Sequence, residues 1–506
     1  MKAKCIMIQG TASSAGKSLI AAGMCRIFRQ DGYKVAPFKS QNMALNSFIT
    51  KDGKEMGRAQ VVQAEAAGIE PSVEMNPILL KPTTDKKTQV VINGEVYGNM
   101  SAAEYHEFKP QLKELVRNAY DRLSEKNDII VIEGAGSPAE INLRENDLVN
   151  MGMAEIADAP VIIVGDIDKG GVFASLVGTM MLLTENEKAR VKGVIINKFR
   201  GDIKVLEPGI MMLEDIIKVP VLGVIPYTKL NIEDEDSLAE RFIQNRAEKS
   251  AEIDIAIIKL PHISNFTDFN ALENIKGVSV RYVEHASNIG NPDMVILPGS
   301  KNTIEDLLFI RKSGFEKEIH RLYRSGTVIY GICGGYQMLG TEIEDPYHVE
   351  SNMEKVKGLG LLNMKTTFQK KKVTTRVKAS ITDNEGILEG LKGMMVEGYE
   401  IHMGTTEYFE NCASYLTIYS ILGQNQEKVD GVRNGDVLGT YIHGIFDNMD
   451  FTIGLVNNLR KRKGLKEVDG AVKSFKEFKE EQYDKLADLL RNNLDMDKIY
   501  SILNGV

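Results

Sequence analysis

Residues 5–18, CIMIQGTASSAGKS, constrain this chain more than any other stretch. The apolar run 5–9 passes directly into Gly10-Thr11-Ala12-Ser13-Ser14-Ala15-Gly16-Lys17-Ser18, and a helical pattern follows from Leu19 to Gln30. A buried strand, a small-residue loop and a helix in that order are what a phosphate-binding loop needs. Backbone N–H groups wrap the phosphates, Lys17 reaches the terminal ones, and the Ser18 hydroxyl can bind magnesium. Gly10, Thr11, Ser14, Ala15, Gly16, Lys17 and Ser18 are therefore the candidate nucleotide contacts. The GxxxxxGKS spacing is one residue longer than the standard pattern. A plain glycine turn is the alternative, but Gly-Lys-Ser at the start of a helix favours the phosphate loop.

The first half of the chain continues as alternating strands and helices. Short apolar runs at 129–132, 161–164, 194–196 and 221–225 each end in polar or turn residues, which describes a doubly wound parallel sheet. Glu133 and Asp166 end two of these strands. Acids placed there, beside a phosphate loop, suit magnesium binding together with Ser18. A further strand, 33–38, runs into 39–47, which has neither helical nor strand periodicity. Its amides and hydroxyls, Gln41, Asn42, Asn46 and Ser47, lie where an open α/β sheet binds ligands; a surface loop fits its composition equally. Residues 57–68 read as a helix carrying Arg58, Gln60, Gln63 and Glu65, most of them expected on a solvated face. A charged amphipathic helix is expected over 101–125. The polar segment 229–251, with the acidic run Glu233–Asp236, reads as a linker, so the first domain is expected over 1–228.

A second α/β pattern occupies 252–446. Within it, Val328–Gly340, VIYGICGGYQMLG, reads as strand, sharp turn and helix with Cys333 at the turn. That is a nucleophile elbow, in which glycines let the backbone bend and present the thiol. The bland alternative is a buried cysteine in a glycine-rich turn. His443, in GTYIHGIF, supplies the base that a cysteine nucleophile requires from a distant part of the sequence. The amide of Gly334, next to the nucleophile, and that of Gly299, in the loop after the strand 293–297, are candidates for an oxyanion hole. His402 is either a ligand contact or a satisfied structural histidine. The remainder, 447–506, reads as helices with no chemistry of its own.

Composition narrows the partners. A net charge of −8 argues against nucleic acid and anionic membrane as main partners. The four cysteines are scattered without a CxxC pair, which suggests neither a zinc site nor a disulfide framework. A reducing, cytoplasmic compartment fits. The N-terminal apolar stretch is too short for a signal peptide, and the longest one, Gly170–Leu183, is too short to span a bilayer.

With these residues in place, the chain resembles the cobyric acid synthase family of glutamine-dependent amidotransferases. The resemblance rests on FKSQNMALNS (38–47), GRAQVVQAEAAG (57–68), MNPILLKP (75–82), GDIDKGGVF (165–173) and INKFRGD (196–202). It implies two doubly wound α/β domains. The first is a P-loop domain of the dethiobiotin-synthetase kind, whose phosphate loop has the same extra residue, and in which Asn197 would contact adenine. The second is a class I glutaminase domain with Cys333 as nucleophile and His443 as base. That class usually carries Glu two residues after the histidine. This chain has Ile445, and the cobyric acid branch shares the absence of that Glu, so a Cys–His dyad is implied and what orients the imidazole stays open. The resemblance further implies ATP and magnesium, no prosthetic group, glutamine as nitrogen donor, and adenosylcobyrinic acid a,c-diamide as acceptor near residues 40–47. Two alternatives stay in view: a cobyrinic acid a,c-diamide synthase, and a P-loop ATPase switch, which would need no Cys333–His443 pair.

Overall fold

The computed structural model describes residues 2–84, 87–232, 251–410, 412–468 and 474–505. Most of the linker expected over 229–251, including the acidic run, lies outside the described residues. The chain divides into two compact units. One comprises Met1–Ala44, Met56–Ser237 and Glu477–Val506, the other Leu45–Glu55 and Leu238–Lys476.

The first unit is built on a six-stranded sheet in the order Val221–Pro226, Val191–Phe199, Val161–Asp166, Lys4–Gly10, Ile129–Glu133, Val35–Phe38. All five pairings are parallel. Its strands read as continuous apolar runs because helices cover both faces. Lys4–Gly10 lies between the two strands that end in acids: Ile8 pairs with Glu133, and Gly10 with Val164. The phosphate loop thus leaves the sheet between Glu133 and Asp166.

The C-terminal helices Phe475–Asn493 and Met496–Asn504 complete this unit. Leu486, Leu490, Ile499 and Leu503 join Ile6, Ile20, Ile27 and Phe28 in one core. The approach is close enough that a Cβ at Gly23 would lie 2.3 Å from Leu490 Cδ1. Ion pairs from the buried Arg26 to Glu480 and Asp484 hold the same contact.

Three local expectations are corrected. The helix expected over 101–125 is two helices, Ala102–Phe108 and Lys113–Ser124, joined by a tight turn containing Pro110, which lacks a helical donor. Residues 41–43 and 47–49 are short strands; three residues are too few to show a period. The helix Arg58–Ala67 does not present a solvated polar face: Arg58, Gln60 and Gln63 are buried. Buried amides need partners, and Gln63 donates to Glu133 Oε2 at 2.5 Å.

The second unit has a seven-stranded sheet in the order Val278–Val283, Ile253–Ile258, Met294–Leu297, Val328–Ile332, Val437–Thr440, Val432–Asn434, Ala413–Ser414. The first five run parallel and the last two pairings are antiparallel. A long strand, Met364–Ile381, pairs antiparallel with Met395–Tyr408. Val328–Ile332 is flanked by Met294–Leu297 and Val437–Thr440, so the segments carrying Cys333, Gly299 and His443 leave three adjacent strands at the same edge.

Candidate active site

Each unit gathers its candidate residues at the carboxyl end of its own sheet. In the first, Gly16 has φ 98°, and a Cβ there would lie 2.2 Å from the Asn197 amide nitrogen. Only glycine fits. Asn197 is buried and donates through Nδ2 to the Ala15 carbonyl at 3.0 Å, which places it as a brace of the loop. Thr11 N donates to Val164 O at 2.9 Å, tying the start of the loop to the neighbouring strand. Lys169 donates to Ser14 Oγ at 2.8 Å. Lys17 Nζ donates to the carbonyls of Ala12 (2.8 Å), Ser13 (3.2 Å) and Gly136 (3.0 Å), so its charge is held inside the loop, where phosphates would bind.

Glu133 is the centre of this site. Its Oε1 accepts from Ser18 Oγ at 2.7 Å and lies 3.0 Å from Lys39 Nζ, with Lys39 and Glu133 both buried. Asp166 accepts from Asp168 N at 2.9 Å through Oδ1. Its buried Oδ2 makes no hydrogen bond, although Lys198 Nζ lies 3.1 Å away. A hydroxyl and two carboxylates are hard oxygen donors of the kind magnesium takes alongside phosphate oxygens. The donor set therefore fits that ion, and the under-bonded Asp166 oxygen is the observation that favours it. Among the described residues no group of three or more His, Cys, Asp or Glu could hold a metal ion by itself.

The amide-rich stretch divides between the units. Gln41 Oε1 accepts from Tyr105 Oη at 2.6 Å, and Asn42 Nδ2 donates to Gln60 Oε1 at 3.0 Å, both within the first unit. Asn46 and Ser47 belong to the second. Asn46 Oδ1 accepts from Phe266 N (3.2 Å), Ser47 N donates to Asn265 Oδ1 (3.2 Å), and Ser47 O accepts from Tyr399 Oη (3.1 Å).

In the second unit Cys333 has φ 49° and ψ −106°, a conformation L residues rarely hold and one expected of a nucleophile elbow. A Cβ at Gly335 would lie 2.0 Å from Leu297 O, so the turn closes only with glycine there. Cys333 is 6% exposed, and its thiol donates to Ile401 O at 3.6 Å. His443 lies close enough to Cys333 for the thiol to favour the charged imidazole. A Cβ at Gly299 would lie 3.0 Å from His443 Cε1, and one at Gly334 would lie 2.9 Å from Ser300 N. The structure thus brings Cys333, His443, Gly299 and Gly334 into one place.

Sequence reasoning missed two residues. Lys39 is buried against Glu133; its only signal is its place at a strand end, before the amide-rich stretch. Asp268 lies in the turn Phe266–Phe269, with its Oδ2 2.7 Å from His443 Nδ1. No spacing rule could find it, because it lies 175 residues before the histidine. Burial opposes charge on His443, but Asp268 and Cys333 outweigh it and raise its pKa to about 10. His402 Nδ1 lies 2.8 Å from Gly404 O and its ring stacks on Tyr441, while its buried Nε2 makes no hydrogen bond and lies 3.6 Å from Glu400 Oε1.

Comparison with known proteins agrees with this division. Residues 6–238 match the model of a CobQ/CobB/MinD/ParA nucleotide binding domain, and residues 254–451 that of a CobB/CobQ-like glutamine amidotransferase domain. The chain is 58% identical over 500 residues to a cobyric acid synthase of Clostridium botulinum (strain 657 / Type Ba4), covering 98% of this chain and 99% of the relative. It is 57% identical over 503 residues to a cobyric acid synthase of Alkaliphilus metalliredigens (strain QYMF), covering 99% and 100%. With a cobyric acid synthase of Thermoanaerobacter sp. (strain X514) it shares 56% identity over 501 residues, covering 98% of each.

Proposed function

The chain belongs to the cobyric acid synthase family, and from that membership we propose that it amidates the b, d, e and g carboxylates of adenosylcobyrinic acid a,c-diamide, using ATP and glutamine, to give adenosylcobyric acid. A carboxylate is a poor acceptor for ammonia, because its charge repels nucleophiles and oxide leaves badly. Its oxygen attacks the γ-phosphorus of ATP, the bond to the bridging oxygen breaks, and ADP leaves. Ammonia then adds to the acyl phosphate carbon, phosphate departs, and a proton is lost to solvent.

Lys17 and the loop amides of Gly10, Thr11, Ser14, Ala15 and Gly16 hold the triphosphate. Asn197 braces that loop beside the adenine. Ser18, Glu133 and Asp166 would hold magnesium, which when bound neutralises charge that builds on the phosphate oxygens. Lys39 adds a fixed positive charge at the same place. Gln41, Asn42, Asn46 and Ser47 are assigned to the acceptor's side of the chemistry.

At the other site Cys333 sulfur attacks the side-chain amide carbon of glutamine. The Gly299 and Gly334 amides receive the oxyanion. The C–N bond breaks, and ammonia leaves with a proton from His443. Water, activated by His443, then releases glutamate from the thioester and restores the thiol. The cytoplasm supplies ATP and glutamine and keeps Cys333 reduced. Among the described residues no helix is long and apolar enough to cross a membrane.

The observation that carries this reading is the presence of both chemistries, Lys17–Ser18–Glu133 and Cys333–His443, on one chain alike over its whole length to named cobyric acid synthases. Mass spectrometry of the corrinoid after incubation with ATP, magnesium and glutamine tests it. Four successive amidations of the diamide are expected. Amidation of cobyrinic acid that stops at the diamide would mean a diamide synthase instead.

A further inference from the structure

The imidazole of His443 needs a partner on Nδ1, and the position two residues later, where the wider glutaminase class carries Glu, holds Ile445. Ile445 is wholly buried, and its aliphatic side chain has no atom that could accept from Nδ1. We propose that Asp268 is the positioning residue of this glutaminase site, completing a Cys333–His443–Asp268 relay whose acid comes from the opposite end of the domain's sequence. The inference rests on the glutaminase role assigned above and deepens it.

Four observations carry it. Asp268 uses both oxygens on the histidine segment: Oδ2 lies 2.7 Å from His443 Nδ1, and Oδ1 accepts from Gly444 N at 2.9 Å. Holding the ring and the backbone beside it at once fixes the imidazole's orientation as well as its tautomer. With Nδ1 carrying the proton, Nε2 is left for the thiol. Second, Asp268 and His443 are 3% and 1% exposed, and a carboxylate so buried is stable only when paired. Third, the turn that carries Asp268 is tied to the oxyanion loop. Ser264 N donates to Gly299 O at 2.9 Å, Lys301 N donates to His262 O at 2.9 Å, and Ile263 forms a bridge with Ser300. Acid, base and oxyanion amides are thus set relative to one another by backbone bonds. Fourth, the far face of the imidazole is closed by Tyr399, stacked at a centroid distance of 5.3 Å, and Tyr399 and His443 exchange both backbone hydrogen bonds.

The groups facing the imidazole are therefore the Asp268 carboxyl, the Cys333 thiol and the Tyr399 hydroxyl-bearing ring. Asp268 and Cys333 are the two that favour its charged form against the opposing effect of burial. Replacing Asp268 by an amide of the same shape removes one of these charges and permits the wrong tautomer.

The test compares wild type, Asp268→Asn and Asp268→Glu in the full chain. Glutamate release from glutamine is followed across pH, beside amidation supported by added ammonium chloride. Asp268→Asn is expected to lose roughly 10²-fold or more in kcat for glutamine hydrolysis, by analogy with tautomer loss in hydrolase triads. Its KM for glutamine and its ammonia-supported amidation stay near wild type. The alkaline limb of its residual activity moves to lower pH, because the imidazolium is less favoured. Asp268→Glu keeps the charge and keeps the limb near its wild-type position. Hydrolysis by Asp268→Asn at the wild-type rate, or a slower rate whose alkaline limb does not move, overturns the proposal. So does equal loss of both activities in both variants, which marks a structural role. A wild-type enzyme that uses ammonia but releases no glutamate overturns the glutaminase reading itself.

Discussion

The four cysteines show what sets Cys333 apart. Cys25 is fully buried and its thiol is pushed far up by burial; Cys5 and Cys412 are raised for the same first reason. Only Cys333 sits on a strained turn with an imidazole close enough to interact with it electrostatically. Cys333→Ala is accordingly expected to abolish glutamine-dependent amidation and leave ammonia-supported amidation in place, measured on one preparation with the two nitrogen donors. Loss of both in a folded variant would contradict the division of labour. The raised pKa of His443 also has a sign. A histidine whose folded pKa is above its ordinary value of about 6.5 contributes stability that is fully present below that value and lost as pH rises through the folded pKa. For His443 that loss runs from about pH 6.5 upward and is complete once pH passes about 10. Thermal melts should show the second unit losing stability as pH rises from about 6.5 to about 10, and Asp268→Asn should weaken that dependence.

At the scale of elements, the segment Leu45–Glu55 is instructive. It lies within the sequence of the first domain, yet it packs with the second unit. Asn46 and Ser47 bond to Asn265, Phe266 and Tyr399, which carry or abut the Asp268–His443 pair. If these bonds serve the glutaminase, Asn46→Ala lowers glutamine-dependent turnover and spares ammonia-supported turnover. If Asn46 serves the acceptor, both fall and KM for the corrinoid rises. The C-terminal helices give a stability counterpart. Leu490 is 1% exposed against Gly23, so Leu490→Ala is expected to cost about 2–5 kcal/mol in urea unfolding of the first unit. Much of this organisation was legible in the sequence. Strand ends carrying Gly10, Glu133, Cys333 and His443 stood out because apolar runs stop abruptly at polar residues. Gln60 and Gln63 were misread because helical periodicity assigns amides to solvent, whereas Glu133, 70 residues from Gln63, gives them a buried partner. Asp268 was invisible for the same reason: its meaning comes from a contact made only in the fold.

For the whole molecule, the question is how far each chemistry depends on the other. Lys17, Ser18, Glu133 and Lys39 lie in the first unit, and Cys333, His443 and Asp268 in the second, each held by bonds within its own unit. The Lys17 ammonium sits among the carbonyls of Ala12, Ser13 and Gly136. Removing it takes away the charge that meets the terminal phosphates and leaves three carbonyls facing them. Lys17→Ala should therefore remove ATP-dependent amidation with either nitrogen donor, because no acyl phosphate forms. The Cys333–His443–Asp268 site is held by bonds within the second unit, so glutamate release should persist in this variant. The two readouts separate the possibilities. Unchanged amidation refutes the nucleotide assignment. Glutamate release that falls together with amidation means that the thiol site waits on events at the phosphate loop, so that ammonia is generated only when an activated carboxylate is ready for it.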